Sequence, residues 1–519
     1  MAATGVTKVD RSLAMVTEAL GAWDWLVIAP VALPLLGAAA LLLIRKRIAW
    51  HAPASIAIML LMLAADVGLL IRVWNEGPVH MAMGSWLPPF GIIFAVDTLG
   101  AVFATITAFI GLVCAVYATA EIDTTEYRYG YFTFYLLMLA GVTGAFLTGD
   151  VFNLYVWFEV LLISSFGLLA LGSNPIQLDG TFKYAILNLV ATTLFLITVG
   201  LIYGIAGTLN MADLAIKARS GDLGAPVMSF GVLLTFAFLM KAAAFPLNAW
   251  LPASYHVTRS ASSALFAALL TKVGVYALLR TLVLVFPELG ETFAPVLLIV
   301  ANSTMIAGAL GLLASNDIRR MVGWAVISGI GVILVGLGLG EAAALSGAIA
   351  YAIHSMVVMA GLYLLAGAMS WLAGTDSLFK MGGLAVHSPA LLLCGLGIVL
   401  ATAGLPPFSG LWPKAILVEA ALSKAAYVTV GIILVNGLLT TIALGRMFAF
   451  GFWRAAQMER SELAPFPLLS KSRIVPVATI AIVSLAGGLY PEPWLAASRQ
   501  AAAGLLDAAT YINAVLPEG

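Results

Sequence analysis

Three lysines stand inside apolar runs long enough to cross a bilayer: Lys241 in Leu239-Met240-Lys241-Ala242, Lys272 in Leu270-Thr271-Lys272-Val273, and Lys414 in Trp412-Pro413-Lys414-Ala415. A charge at the centre of such a helix costs roughly 2.5–3.5 kcal/mol on insertion scales. Glu159 and His354 occupy similar positions in two further runs. A chain that carries all five is most simply read as moving protons or ions through the membrane.

Glu159 lies about eight residues into its run, roughly 12 Å deep at a rise of 1.5 Å per residue. Lys241 precedes Pro246 by five residues, about one turn from a predicted helix break. A Glu159–Lys241 pair could switch protonation with a modest change in separation; the alternative is a fixed ion pair that only holds two helices together. Lys272 is mid-span, too deep for its side chain to snorkel to either interface; it carries protons or bonds a neighbouring helix for structure. An imidazole titrating near about 6.5 suits His354 to shuttling, although a lone buried histidine is commonly a satisfied core residue. Lys414 follows a second predicted break, with Glu419 five positions on, where it either joins the site or is solvated near the outer interface. Tyr351, Ser355, Ser164 and Thr271 could hydrogen-bond across helices or orient water. His256, Asp97, Asp150 and Lys183 fall near helix ends, where capping or interfacial roles compete with a functional one.

The elements that must position these groups follow from composition. The 519 residues are 62% hydrophobic and 10% charged with no net charge, and mean hydropathy is +1.05, whereas a soluble protein carries about 25% charged residues. The chain is therefore an all-α polytopic membrane protein, and nothing suggests a nucleic-acid partner. Cys114 and Cys394 are too few to hold an iron–sulfur cluster. No phosphate-binding loop, metal-ligand spacing or dinucleotide fingerprint is present, so no metal, cofactor or redox site is expected.

Apolar runs fall near residues 25–44, 54–71, 98–119, 131–149, 151–172, 183–205, 225–254, 260–284, 292–314, 321–339, 342–370, 390–422, 427–450 and 474–490. About fourteen transmembrane helices are predicted within one integral membrane domain, residues 1–519. With both termini outside, fourteen of the 25 Lys and Arg fall on the inside and eight on the outside, the other three being the mid-span lysines. Two runs contain proline, at Phe245-Pro246 and Leu405-Pro406-Pro407, and each continues into a similar stretch, Asn248-Ala249-Trp250-Leu251-Pro252 and Gly410-Leu411-Trp412-Pro413. Proline removes a backbone donor and interrupts the helix. The offset of five helices predicts two inverted five-helix repeats, 131–284 and 292–450, with broken helices 7 and 12 beside a transport path.

The run Gly144-Ala145-Phe146-Leu147-Thr148-Gly149-Asp150 through Phe158-Glu159 resembles the proton-translocating antiporter-like subunits. So do Lys241 to Pro252, Lys272-Val273-Gly274-Val275-Tyr276 and Gly404-Leu405-Pro406-Pro407-Phe408-Ser409-Gly410. That family spans respiratory complex I, membrane hydrogenases and the multisubunit Mrp (Pha) cation/proton antiporters. Tyr203 to Leu214, with Trp412-Pro413-Lys414, most resembles the D-type branch of the Mrp antiporter subunits. The resemblance implies a relay through Glu159, Lys241, Lys272, His354 and Lys414. It also implies partner membrane subunits of the A, B, C, E, F and G types and a place in the bacterial inner membrane. Many relatives carry a further lysine shortly after the histidine, where this chain has Met356, Val357, Val358 and Met359, so a link from Lys272 to Lys414 would rest on His354, Ser355, Tyr351 and water.

Three readings follow. The first is a secondary-transporter subunit exchanging Na⁺ or K⁺ for H⁺, and the second a proton-pumping subunit of a complex I-like or hydrogenase redox complex. The third, a pure scaffold, gives no reason to bear the cost of intramembrane lysines. The roughly 30 Ala-rich residues after the last run predict no long lateral helix of the kind found in the most distal complex I subunit.

Overall fold

In lipid every backbone N–H and C=O must be bonded within the protein, so apolar runs of this length become helices. The computed structural model describes residues 15, 20–224, 226–455 and 469–516. Lys8, Arg11 and Arg460, part of the Lys and Arg count, lie outside the described residues. The chain opens with α1 (Trp25–Leu43) and α2 (His51–Glu76), then a two-stranded antiparallel hairpin of β1 (Val79–Ala82) and β2 (Ile93–Val96), in which Val79 faces Val96 and Ala82 faces Ile93. There follow α3 (Thr98–Ala118), the short α4 (Thr124–Arg128), α5 (Tyr131–Leu147), α6 (Val151–Ala170), α7 (Pro175–Ala206) and an amphipathic α8 (Met211–Ser220).

The seventh apolar run is divided into α9 (Pro226–Ala242) and α10 (Trp250–Ser254). After it come α11 (Ser260–Leu279), extended to Val285 by a π-helical turn, α12 (Pro287–Ala314), α13 (Ile318–Leu339) and α14 (Ala342–Ala373). The short α15 (Leu384–His387) leads to the second divided run, α16 (Pro389–Ala403) and α17 (Leu411–Ser423), and then to α18 (Tyr427–Phe448) and α19 (Lys471–Leu489). The Ala-rich C-terminal stretch forms α20 (Glu492–Leu506), packed on α14 and α3, and α21 (Ala508–Val515), packed on α8 and β1. Among the described residues eleven helices are long and apolar enough to cross a membrane, and the shorter apolar α5, α9 and α16 coincide with three more of the apolar runs.

Helix starts are set by local chemistry. Asp97, Asp150, Asn174, Asn210 and Asp317 each accept a hydrogen bond from backbone N–H groups in the first turn of α3, α6, α7, α8 and α13, satisfying donors that would otherwise be orphaned. The core centres on α11, α13 and α14, whose apolar windows are almost wholly buried. Small residues permit this packing: a Cβ on Gly308 of α12 would collide with the Ser328 backbone nitrogen of α13. Lys183, expected near a helix end, lies two turns inside α7 and pairs with Asp179 at 2.5 Å on its exposed face.

Candidate functional site

Both helix breaks close in the same way. At the first, Ala243 N–H donates to Met240 O and Ala244 N–H to Leu239 O (3.1 and 3.0 Å), with Ala243 in the left-handed region at φ 60°. At the second, Gly404 N–H and Leu405 N–H both donate to Leu400 O (3.1 and 3.0 Å), with Gly404 at φ 83°. A left-handed residue that folds the chain back onto the last carbonyls is the usual end of a helix. A tryptophan follows each break. Trp250 Nε1 donates to Met240 O (3.2 Å), which also accepts from Ala243, and Trp412 Nε1 donates to Gly488 O of α19 (2.9 Å). Phe245 N–H is taken by Thr304 Oγ1 of α12 (3.0 Å), and Ser409 N–H by Ser484 O of α19 (3.0 Å). The breaks are thus satisfied by protein, as non-helical backbone at membrane depth requires.

The lysines flank these breaks. Lys241 is the penultimate residue of α9, 2% exposed, with its Nζ 5.6 Å from the Phe158 ring centroid and without a hydrogen-bond partner among the described residues. Glu159 is half-buried on α6 and its charge acts on Lys241, yet no ion pair within 4.0 Å joins them among the described residues. Tyr155, one turn before Glu159, interacts with its carboxylate. Lys272 is fully buried and donates to Ala267 O (2.8 Å). Lys414 is half-buried and donates to Ala403 O (2.7 Å), the last carbonyl of α16, where the negative end of the helix dipole favours a cation.

His354, 3% exposed on α14, is near enough to Lys414 and Lys272 for the charges of both to act on it. Its Nδ1 shares a 2.8 Å hydrogen bond with Ser409 Oγ, and Ser409 Oγ another of 2.8 Å with Ser484 Oγ. The Nε2 atom has no partner among the described residues. Tyr351 stands edge-on to the imidazole at 5.7 Å. His354 is thus coupled to Lys272 and to Lys414, and Glu159 to Lys241.

The supporting residues divide. Thr271 Oγ1 and Ser355 Oγ are buried without partners among the described residues, the kind of group that ordered water completes inside proteins. Ser164 bonds back to Val160 O of its own helix (2.6 Å). Glu419 is exposed on α17. His256 lies between α10 and α11, where its Nε2 accepts from Arg320 Nε (3.1 Å); burial, then the charges of Arg320 and Arg319, push its pKa down to about 4. Asp150 caps α6 through Asn153 N–H (2.8 Å), and burial pushes its carboxyl up to about 6.

Sequence reasoning missed three features. Ser409 and Ser484 carry no distinctive spacing and meet only because the second break packs on α19. Arg280, counted among outside charges, is 1% exposed and bound to Asp97, with Nη1 to Oδ2 at 2.7 Å. Asp66 on α2 is fully buried; its signal was present, a lone acid in Leu63-Ala64-Ala65-Asp66-Val67.

The family described as NADH:quinone oxidoreductase/Mrp antiporter, TM, matches residues 148–440, which hold both breaks and all five ionisable groups. The chain belongs to that family. Its curated relatives place it on the D-type branch of the Mrp antiporters. It is 36% identical over 493 residues to the D-type Na(+)/H(+) antiporter subunit of Alkalihalophilus pseudofirmus, covering 95% of this chain and 99% of that one. It is 38% identical over 500 residues to the D-type Na(+)/H(+) antiporter subunit of Bacillus subtilis, with the same coverage. Among solved structures, a chain of the Mrp complex from Dietzia sp. superposes with a TM-score of 0.87 at 29% identity, covering 95% of this chain and 99% of that one. A chain of Thermus thermophilus respiratory complex I shares the fold, with a TM-score of 0.78 at 24% identity over 93% of this chain and 99% of that one. The divided helices and buried amines of this Mrp-branch protein are thus set in the fold of that family.

Proposed function

We propose that this chain is an ion-translocating subunit of a multisubunit monovalent cation/proton antiporter, exchanging Na⁺ or K⁺ for H⁺. It is a transporter subunit rather than an enzyme, and works beside other membrane subunits of the complex. The observation that carries the reading is the placement of His354, hydrogen-bonded to Ser409 in the second helix break, within electrostatic reach of both Lys272 and Lys414, with Glu159 acting on Lys241 beside the first. Buried amines interact strongly because the surroundings screen them poorly. A proton arriving at one lysine therefore disfavours a proton on the next, and Ser355, Thr271 and water offer the path between them. Glu159 and Lys241 form the coupling pair. The orientation that agrees with the charge bias has both termini outside.

Two D-type relatives, each matching 95% of the chain, are named as Na(+)/H(+) antiporter subunits, and this favours antiport over a pump driven by redox partners. The test is cation-dependent proton movement in vesicles holding the intact complex, with NADH oxidation measured alongside. Lys241→Ala and Glu159→Ala are each expected to abolish exchange while the complex still assembles, and His354→Ala to slow it. Full exchange in Lys241→Ala or Glu159→Ala would remove the coupling pair; proton movement driven by NADH and indifferent to Na⁺ and K⁺ would reassign the chain to a redox complex.

A further inference from the structure

Asp66 is a buried acid that the relay does not use. It is the sixteenth residue of the 26-residue α2 and 0% exposed, about 15 Å along the axis from the end of the helix at Glu76. Neither carboxylate oxygen has a hydrogen-bond partner among the described residues, and no ion pair is formed there. An ionised carboxylate is costly in such surroundings unless a counter-charge or hydrogen bonds reach it. An intramembrane acid with neither is a functional candidate by default.

The surroundings point to what it binds. Leu63 and Leu70, three residues before Asp66 and four after on the same face of α2, line a crevice of about 480 Å³, with the buried Asp66 between them and not itself part of the lining. Thr105 of α3 lines it too, and its hydroxyl donates to Ala101 O (2.8 Å) and approaches Asp66 O (3.3 Å). His354, Ser409 and Ser484 line the same crevice. The crevice reaches the outer surface of the bundle at Val483, which is 39% exposed. A hard cation takes several oxygen ligands at once, and here the apolar side chains around Asp66 supply almost none. A proton needs only the carboxylate.

We propose that Asp66 is a proton-exchanging carboxyl on a side branch of the transport path, joined through the crevice to His354. This rests on the proton-relay reading given above. When the branch is loaded, Asp66 holds the proton as a neutral acid; unloading passes it through water in the crevice toward His354. The α2–α3 pair, which carries none of the five relay residues, would thereby take part in transport.

The intact complex in vesicles tests this in two ways. Dicyclohexylcarbodiimide is an apolar reagent that takes the proton of a buried carboxylic acid onto its nitrogen while the carboxylate adds to its central carbon. The adduct rearranges to a stable N-acylurea from which nothing is lost. In a Glu159→Gln background, mass spectrometry is expected to find the adduct on the peptide carrying Asp66. Asp66→Asn is expected to cut exchange at least tenfold in the assembled complex, and Asp66→Glu to restore at least half of it. Wild-type exchange in assembled Asp66→Asn overturns the proposal. Should Asp66→Asn fail to assemble, labelling decides: an adduct on Asp66 whose yield tracks the loss of wild-type exchange upholds it, and no adduct, or one whose yield does not track that loss, overturns it. If the wild-type complex exchanges and Lys241→Ala does not, yet Asp66→Asn is normal, only this inference falls. If the wild-type complex moves no protons against Na⁺ or K⁺, the functional reading itself fails.

Discussion

A polar group inside this protein is held either by a partner or by an accessible proton, and His256 shows the first case. Its Nε2 accepts from Arg320, and a protonated ring has no lone pair to offer. Burial and the neighbouring arginines hold its pKa at about 4 in the folded protein, against 6.5 when unperturbed. Between these values the unfolded chain binds a proton that the folded chain refuses, so stability rises with pH across that window. His256 therefore costs nothing above about 6.5 and weakens the fold progressively toward 4. His256→Gln keeps an acceptor but cannot titrate. The melting temperature of the detergent-solubilised protein is expected to fall less steeply with acid in His256→Gln than in the wild type over that range. Parallel curves would show that the ring is solvated.

At the scale of the element, the decisive devices are the two divided helices, and a comparison of their left-handed residues makes a prediction. Gly404 has φ 83°, and a Cβ there would lie 2.7 Å from Lys414 Cδ and 2.8 Å from Lys414 Nζ. Ala243 holds the equivalent position of the first break at φ 60°, and its lysine precedes the break instead of following it. Gly404→Ala is thus opposed both by the left-handed backbone, about 1–2 kcal/mol, and by collision with the amine that Ala403 O holds. Exchange in assembled vesicles is expected to drop several-fold in Gly404→Ala and to stay within about twofold of wild type in Ala243→Gly, since glycine adopts this conformation freely. Equal effects from both would show that Lys414 is not held by the break. Apolar runs and prolines made these elements legible in the sequence, as did the lysines placed beside them. How the backbone beyond each stop is satisfied was not legible, because Phe245 N–H and Ser409 N–H are taken by Thr304 and Ser484 from distant helices. Asp66 lies ten residues before the end of α2 at Glu76, deeper than the apolar run of residues 54–71 alone would place it.

For the whole molecule, one buried cluster ties the beginning, middle and end of the chain. Asp97 caps α3 through Gly100 N–H (3.0 Å) and also receives the Arg280 guanidinium from the end of α11. Arg280 Nε donates to Tyr276 OH (2.9 Å), which donates to Phe146 O at the end of α5 (2.6 Å). The Tyr511 ring of α21 lies 5.4 Å from the guanidinium. Arg280 escaped notice because a positive charge near a helix end reads as a loop residue, while the π-helical turn carries the helix past it to Val285. Breaking such a pair on one side strands the other charge, which typically costs about 3–5 kcal/mol, whereas replacing both partners by apolar groups is often close to neutral. Asp97→Ala and Arg280→Ala are each expected to lower the melting temperature of the purified complex strongly. The double variant Asp97→Leu with Arg280→Met should recover most of that loss and, because neither residue belongs to the proposed relay, should retain cation/proton exchange. Additive destabilisation in the double variant would mean that the two charges are separately hydrated. Loss of exchange in a stable, assembled double variant would mean that the clamp between α3, α11 and α21 moves during transport.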